Sequence, residues 1–164
     1  MKKVKSFLLL FIFLFVFWLL LTPVNSQYLA TGLVLVSALS LIFRQYGETL
    51  AEFKVTPGSL FYAFIYIFVF LKELIKSNLD VAYRVLSPKL PINPGIVKVK
   101  TKLKSDIGRT VLANSITLTP GTLSVEQKDE YIYIHWINVS TEGIEATSKA
   151  IVDKFEKYLE VMFG

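Results

Sequence analysis

The single histidine of the chain, His135, lies close to Tyr133 and Trp136 in an alternating stretch. With no second His, no Cys and no carboxylate cluster at ligand spacing, it reads as a structural side chain rather than a metal ligand or general base. The absence of cysteine excludes a zinc finger, a thiolate iron–sulfur site, a disulfide framework and a thiol nucleophile. There is no glycine-rich phosphate loop and no G-x-S-x-G elbow. Two groupings remain. Lys98, Lys100, Lys102 and Lys104 alternate with Val97, Val99, Thr101 and Leu103, which places four ammonium groups on one face of a strand. Such a row either solvates and protects a sheet edge or meets anionic lipid headgroups, at about 1 kcal/mol per basic residue near the surface. Nucleic acid is set aside because the aromatic residues are not interleaved with the row. The second grouping is Asn114, Ser115, Thr117 and Thr119, short polar groups on and just after a helix, followed by a bend at Pro120-Gly121. These groups can tie the turn to neighbouring backbone or to a partner, or they can simply end the helix. No catalytic, cofactor or metal set emerges, so the chain reads as no enzyme by itself and calls for no cofactor. Asn138-Val139-Ser140 fits a glycosylation sequon, a tripeptide common by chance.

The elements that must carry these groups are of two materials. Eleven of the thirteen Phe precede residue 72, and residues 1–88 hold 8 Lys/Arg and 4 Asp/Glu, against 10 and 9 in residues 89–164. The whole is 53% hydrophobic and 19% charged, where soluble domains average roughly 45–50% and 25%. The pattern predicts a membrane region over 1–88, a linker over 89–96 with Pro91 and Pro94, and a small domain over 97–164.

Three apolar segments are expected in the first region: 7–21, 28–43 and 55–71. The first follows Lys2, Lys3 and Lys5 and precedes the breaker Thr22-Pro23-Val24-Asn25-Ser26-Gln27. Taken alone it resembles a secretory signal sequence with a small-residue cleavage site at Val24/Ser26. The second run follows at once, like a hairpin partner, and favours a retained helix. At ~1.5 Å per residue each of these two covers roughly 23 Å of a hydrocarbon core about 30 Å thick. Arg44, Glu48, Glu52 and Lys54 form a charged connector expected to reach water. Pro57 suits the first turn of the third helix, which is apolar on every face to Leu71 and then continues to about 87 as an amphipathic helix with Leu71, Leu74, Ile75, Leu79, Ala82 and Leu86 on its stripe. That stripe suits either the bilayer surface or a partner. Three crossings would put the two ends on opposite sides, yet basic residues flank both, with Lys72, Lys76, Arg84 and Lys89 at the second. A first hairpin that only dips into the bilayer would leave both ends on one side.

In the second region a strand over 97–104 is followed by a helix over about 107–117 capped by Ser105-Asp106. Strands over 122–126 and 131–137 then flank the turn 127–130, with Ile132, Ile134 and Trp136 on one face. A last helix capped at Thr141 carries Ile144, Ser148, Ile151, Phe155, Leu159 and Met162, with Glu145–Lys149 and Asp153–Lys157 at i,i+4. The fold class is therefore a membrane α-helical half joined to an α+β domain of order β-α-β-β-α.

No Asp, Glu, His, Lys or Arg occurs in 7–21, 28–43 or 55–71, whereas an ion or proton path normally uses ionisable groups inside the spans. The chain thus reads as an anchored accessory piece.

Leu112-Ala-Asn-Ser-Ile-Thr-Leu-Thr-Pro-Gly-Thr122 resembles the signature stretch of the E subunit of Mrp-type multisubunit Na+/H+ antiporters (the MrpE/MnhE/PhaE family), whose equivalent occurs in archaeal membrane-bound hydrogenase-type complexes. The layout of apolar half, Pro-rich linker and short domain ending in a helix is similar as well. The resemblance implies a multi-pass subunit of the cell membrane with a cytoplasmic C-terminal domain. It further implies a non-catalytic, assembly role in a complex coupling Na+ and proton movement. Its partners would be the other membrane subunits and the lipid bilayer, with the conducting carboxylates and lysines in the large subunits. The rival reading is a self-standing membrane-tethered domain that binds lipid headgroups or a small ligand; a third, a secreted protein, requires cleavage near Ser26.

Overall fold

Asn25 opens the second helix by accepting a hydrogen bond from the Gln27 amide (3.1 Å), and Thr56 opens the third by accepting from the Ser59 amide (3.1 Å) with Pro57 in the first position. These caps come from a computed structural model that describes residues 2–43, 45 and 52–164. Arg44 and Glu48, half of the expected charged connector, lie outside the described residues. The chain divides into two compact units, Met1–Phe53 and Lys54–Gly164.

The first unit is a hairpin of α1 (Lys2–Leu21) and α2 (Ser26–Ile42). The Trp18 indole N–H donates to the Tyr28 carbonyl across the turn (3.0 Å). A Cβ on Gly32 would collide with the Trp18 ring. Gly32, Val36 and Ser40 are the buried residues of α2, a small-residue face at four-residue spacing that lets the helices approach closely. The Lys5 ammonium donates to the Phe53 carbonyl (2.9 Å). Of the three apolar helices expected, Val4–Leu21 and Pro57–Leu86 are long and apolar enough to cross a membrane, while Ser26–Ile42 is a shorter apolar helix.

The second unit begins with α3 (Pro57–Leu86), 30 residues without interruption. It ends at Ser87-Pro88, and Arg84 near its end bonds Asp80 (2.8 and 3.1 Å). There follow β1 (Gly95–Lys100), α4 (Asp106–Leu118), β2 (Thr122–Lys128), β3 (Tyr131–Trp136), α5 (Ile144–Ile151) and α6 (Asp153–Phe163). The sheet order is β1-β3-β2, with β3 antiparallel to both neighbours. Val99, Ile132 and Ile134 on its inner face meet Leu112 and Ile116 of α4 and Ile151, Phe155 and Leu159 of the last two helices in the buried core.

Four expectations need correction. The first strand stops at Lys100 rather than Lys104: the buried Glu156 carboxylate accepts from the Thr101 hydroxyl (2.5 Å) and the Lys102 amide (2.8 Å), drawing the chain off the ladder. The hairpin strands run on to Lys128 and start at Tyr131, so the turn is only Asp129-Glu130, with Asp129 at φ 53°, a conformation Asp tolerates. The last helix is two. The chain tightens at Val152, where the Phe155 amide bonds the carbonyl three residues back (3.0 Å), and Ile151 and Val152 both enter the core. Its start is Gly143 at φ 85°, not Thr141. Finally, neither expected i,i+4 pair closes. The ion pairs that do form among the described residues include Arg84–Asp80, Lys100–Glu130 and Lys154–Glu73, the last reaching across to α3.

Candidate functional site

The polar groups of the 112–122 stretch sit where α4 ends and β2 begins. Ser115 is buried on α4. Its hydroxyl donates to the Val111 carbonyl (2.7 Å); with its one proton so used, it accepts from the Tyr66 hydroxyl of α3 at 2.5 Å. Thr119 donates to the Ile116 carbonyl (2.8 Å) and Thr122 to the same oxygen (2.6 Å), so side chains satisfy acceptors that the helix end leaves open. Thr117 accepts the Ser124 amide (3.1 Å) while the Ser124 hydroxyl donates to the Ala113 carbonyl (3.1 Å). β2 is thus fastened to α4 by polar groups rather than by an apolar face. Pro120 leads into Gly121, at φ +93°, whose carbonyl accepts the Ile137 amide (2.8 Å). A Cβ there would lie 3.0 Å from the Ile137 side chain. Asn114 is exposed and lines an open groove of about 230 Å³ with Thr117, Ser124 and Gln127.

The structure divides the lysine row. β1 is an edge strand, and α5 covers its edge: the Thr147 hydroxyl donates to the Lys98 carbonyl (3.1 Å) and the Ser148 hydroxyl accepts the Lys100 amide (2.8 Å). The Lys98 ammonium lies 3.7 Å from the centre of the Tyr131 ring, a cation–π distance. Lys100 pairs with Glu130 at 3.0 Å. That hydrogen bond, with the opposite charge, raises the Lys100 pKa and lowers that of Glu130; both groups are open to solvent, where such pairs are weak. Lys102 and Lys104 lie beyond the strand and are exposed.

One surface escapes sequence reasoning. On the outer face of the sheet, Ile96, His135 and Leu123 stand side by side in register. Ile96 is 67% exposed, Leu123 50% and Val125 57%. The alternation Thr122-Leu123-Ser124-Val125 announces two faces but not which is inner. The carbonyls of α4 decide it by drawing Thr122 and Ser124 inward. His135 is exposed in this row, and among the described residues no group of three or more His, Cys, Asp or Glu could hold a metal ion.

A family model described as an Na+/H+ ion antiporter subunit (MNHE) matches residues 11–162. The E subunit of an Na+/H+ antiporter from Alkalihalophilus pseudofirmus is 52% identical over 91 residues, 54% of this chain and 56% of that protein. This chain therefore spans little more than half the length of that relative. The E1 subunit of an Na+/H+ antiporter from Staphylococcus aureus (strain bovine RF122 / ET3-1) is 35% identical over 142 residues, 81% of this chain and 83% of that protein. A chain in the structure of the membrane-bound sulfane sulfur reductase, an archaeal respiratory membrane complex, superposes with a TM-score of 0.84 at 43% identity, covering 97% of this chain and 99% of that one.

Proposed function

We propose, because the chain belongs to the MNHE family of Na+/H+ ion antiporter subunits, that it is the E subunit of an Mrp-type Na+/H+ antiporter or of the antiporter module of a membrane-bound respiratory complex. Its role there is accessory and non-catalytic, and its partners are the other membrane subunits and the lipid around them. The observation that carries the accessory role is the lack of any Asp, Glu, His, Lys or Arg in 7–21, 28–43 and 55–71. Cations and protons crossing a bilayer need such groups along their path, so the path belongs to companion chains. In this reading, which follows the family resemblance, the chain resides in the cell membrane with its C-terminal domain on the cytoplasmic side.

The 114–121 groups then have separate duties. Ser115, Thr119, Pro120 and Gly121 set the joint between α4, β2 and α3. Asn114, exposed over its groove, is the member left for a neighbouring subunit. Lys98 and Lys100 belong to the protected sheet edge; Lys102 and Lys104 are the pair free to meet anionic headgroups. The apolar outer face around Ile96, Leu123 and Val125 is a second surface that a companion subunit would cover. Extraction of the tagged full chain in mild detergent, followed by mass spectrometry, tests the reading. Large polytopic subunits should co-purify, and the chain alone in vesicles should not exchange Na+ for protons. A solitary monomer would support the membrane-tethered rival, and exchange by the isolated chain would overturn the accessory role.

A further inference from the structure

Helix α3 is apolar and long enough to span, yet its first half, as far as Glu73, is packed against a highly charged helix. α6 runs antiparallel along it. The Lys54 amide bonds the Met162 carbonyl (2.8 Å) and the Ser59 hydroxyl the Val161 carbonyl (3.2 Å). The Tyr62 and Tyr158 rings lie 6.3 Å apart, as do Tyr66 and Phe155, and Lys154 pairs with Glu73 at 3.4 Å. These contacts bracket the whole charge-free run. α6 carries Asp153, Lys154, Glu156, Lys157 and Glu160, and α4 behind it leads into a sheet whose edge strands are β1 and β2. Charged side chains and a domain that carries a row of lysines do not sit against hydrocarbon. A crossing by α3 would pull both into it.

The other side of α3 has the opposite character. Leu60, Phe64, Ile67, Leu71, Ile75 and Leu79 recur at helical spacing and are 44% to 67% exposed, with the exposed Lys72 and Lys76 at the border of the stripe. A long apolar stripe edged by lysines is the form of a helix lying in a membrane interface, where the ammonium groups reach the anionic headgroups. The hairpin supplies the remaining constraint. Lys5, near the start of α1, holds the Phe53 carbonyl (2.9 Å), so the last residue of the first unit returns to the end of the hairpin where α1 begins.

We infer that α3 does not cross the bilayer but lies along its surface, apolar stripe on lipid and opposite face on the C-terminal domain. The chain then crosses only through α1 and α2, and both of its ends lie on one side. This accounts for basic residues at both ends, which three crossings leave unexplained. The inference rests on membrane residence alone and not on the antiporter reading, whose own measure is co-purification.

The chain has no cysteine, so single cysteines report cleanly. Val24→Cys at the hairpin turn, Val55→Cys and Lys89→Cys on either side of α3, and Glu142→Cys on the domain are introduced into the full chain in cell membranes. They are then treated with a membrane-impermeant maleimide from each side. Positions 55, 89 and 142 should react from one side and position 24 from the other. Reaction at 89 and 142 from the side of 24 would mean that α3 crosses and would overturn the inference. Should position 55 react from neither side, the second measurement decides. Nitroxides at Phe64→Cys and Ile75→Cys, in vesicles of phosphatidylethanolamine and phosphatidylglycerol, should collide with oxygen more than with a nickel chelate and sit at equal, shallow depth. A label at 64 deep in the bilayer would mean a crossing. Labels shielded from both probes would mean that protein, not lipid, covers the stripe. Either result refutes the proposal.

Discussion

The bond between Tyr66 and Ser115 is the point at which α3 and the 112–122 stretch can be tested as one joint. Ser115→Ala removes the acceptor of the half-buried Tyr66 hydroxyl, whose O–H points at it from 2.5 Å. An orphaned buried donor costs about 1–3 kcal/mol. Alanine returns about 0.5 kcal/mol of helix propensity within α4, which leaves a net loss of about 1–2 kcal/mol. Tyr66→Phe is milder, because Ser115 still donates to Val111 at 2.7 Å and only the net worth of one hydrogen bond is lost, about 0.5–1.5 kcal/mol. The double variant orphans nothing. Its cost should therefore fall short of the summed single costs by about 1 kcal/mol, the coupling energy of the pair. For a chain of this size each kcal/mol moves the melting midpoint by about 2–4 °C. Hydrogen exchange at the fully buried Ile132 and Ile134 of β3 reads the same quantity for the second unit, at about tenfold in protection per 1.4 kcal/mol. Single-variant effects that simply add would refute the argument, since they would mean that the two hydroxyls do not meet.

Three further outcomes follow from the same geometry. Gly32→Ala should loosen the α1–α2 hairpin by about 1–3 kcal/mol through overpacking against Trp18, seen as a shift in Trp18 emission in a Trp136→Phe background; an unshifted spectrum would contradict the close approach. Gly121→Ala combines a backbone held at φ +93° with contact on Ile137. It should cost about 1–3 kcal/mol, and Ile137→Ala, which removes the γ2 methyl that the new Cβ would meet, should relieve the steric part of it in the double variant; an unchanged melting midpoint would remove the steric argument. The Lys100–Glu130 pair should give a pH-dependent term of fixed sign. Because the folded-state Glu130 pKa is lowered from 4.5, its contribution is present above 4.5 and fades as pH falls through the lower folded value. Because the Lys100 pKa is raised from 10.5, the partner contribution is present below 10.5 and fades as pH rises through the higher value. Glu130→Gln should flatten the acid limb of the melting profile, and identical acid limbs in the two proteins would show that the pair does not form.

Much of this architecture can be read from residue types because the local rules agree with the tertiary result. Ser105 caps α4 through the Gly108 amide (3.0 Å), Pro57 sits in the first turn of α3, and Ile132 and Ile134 bury the face their spacing announces. Each of these is decided within a few residues. What sequence reasoning misses is decided by groups far away in the chain. The end of β1 depends on Glu156, more than fifty residues on. The inward side of β2 depends on carbonyls of α4, and the break at Val152 on how two adjacent apolar residues reach the core. Pattern fixes period and polarity; it does not say which distant acceptor will claim a strand amide.

The helix that best separates composition from packing is α3. Composition changes at Pro88, and a membrane half ending there is the natural reading, yet α3 packs with the C-terminal residues in the unit Lys54–Gly164. The signal was present in the helix itself. Ser59, Tyr62, Tyr66 and Glu73 lie three, four and seven residues apart and share a face. Hydroxyl-bearing side chains along one face of an otherwise apolar helix need partners that lipid does not provide. Here Ser59 finds the Val161 carbonyl, Tyr66 finds Ser115 and Glu73 finds Lys154, while the remaining face keeps the aliphatic and aromatic groups that nothing in the chain covers. A helix of uniform hydropathy and a helix with one polar ridge score alike when averaged along the chain. Only the angular position of a few hydroxyls tells a span in lipid from a support on which a water-facing domain is built.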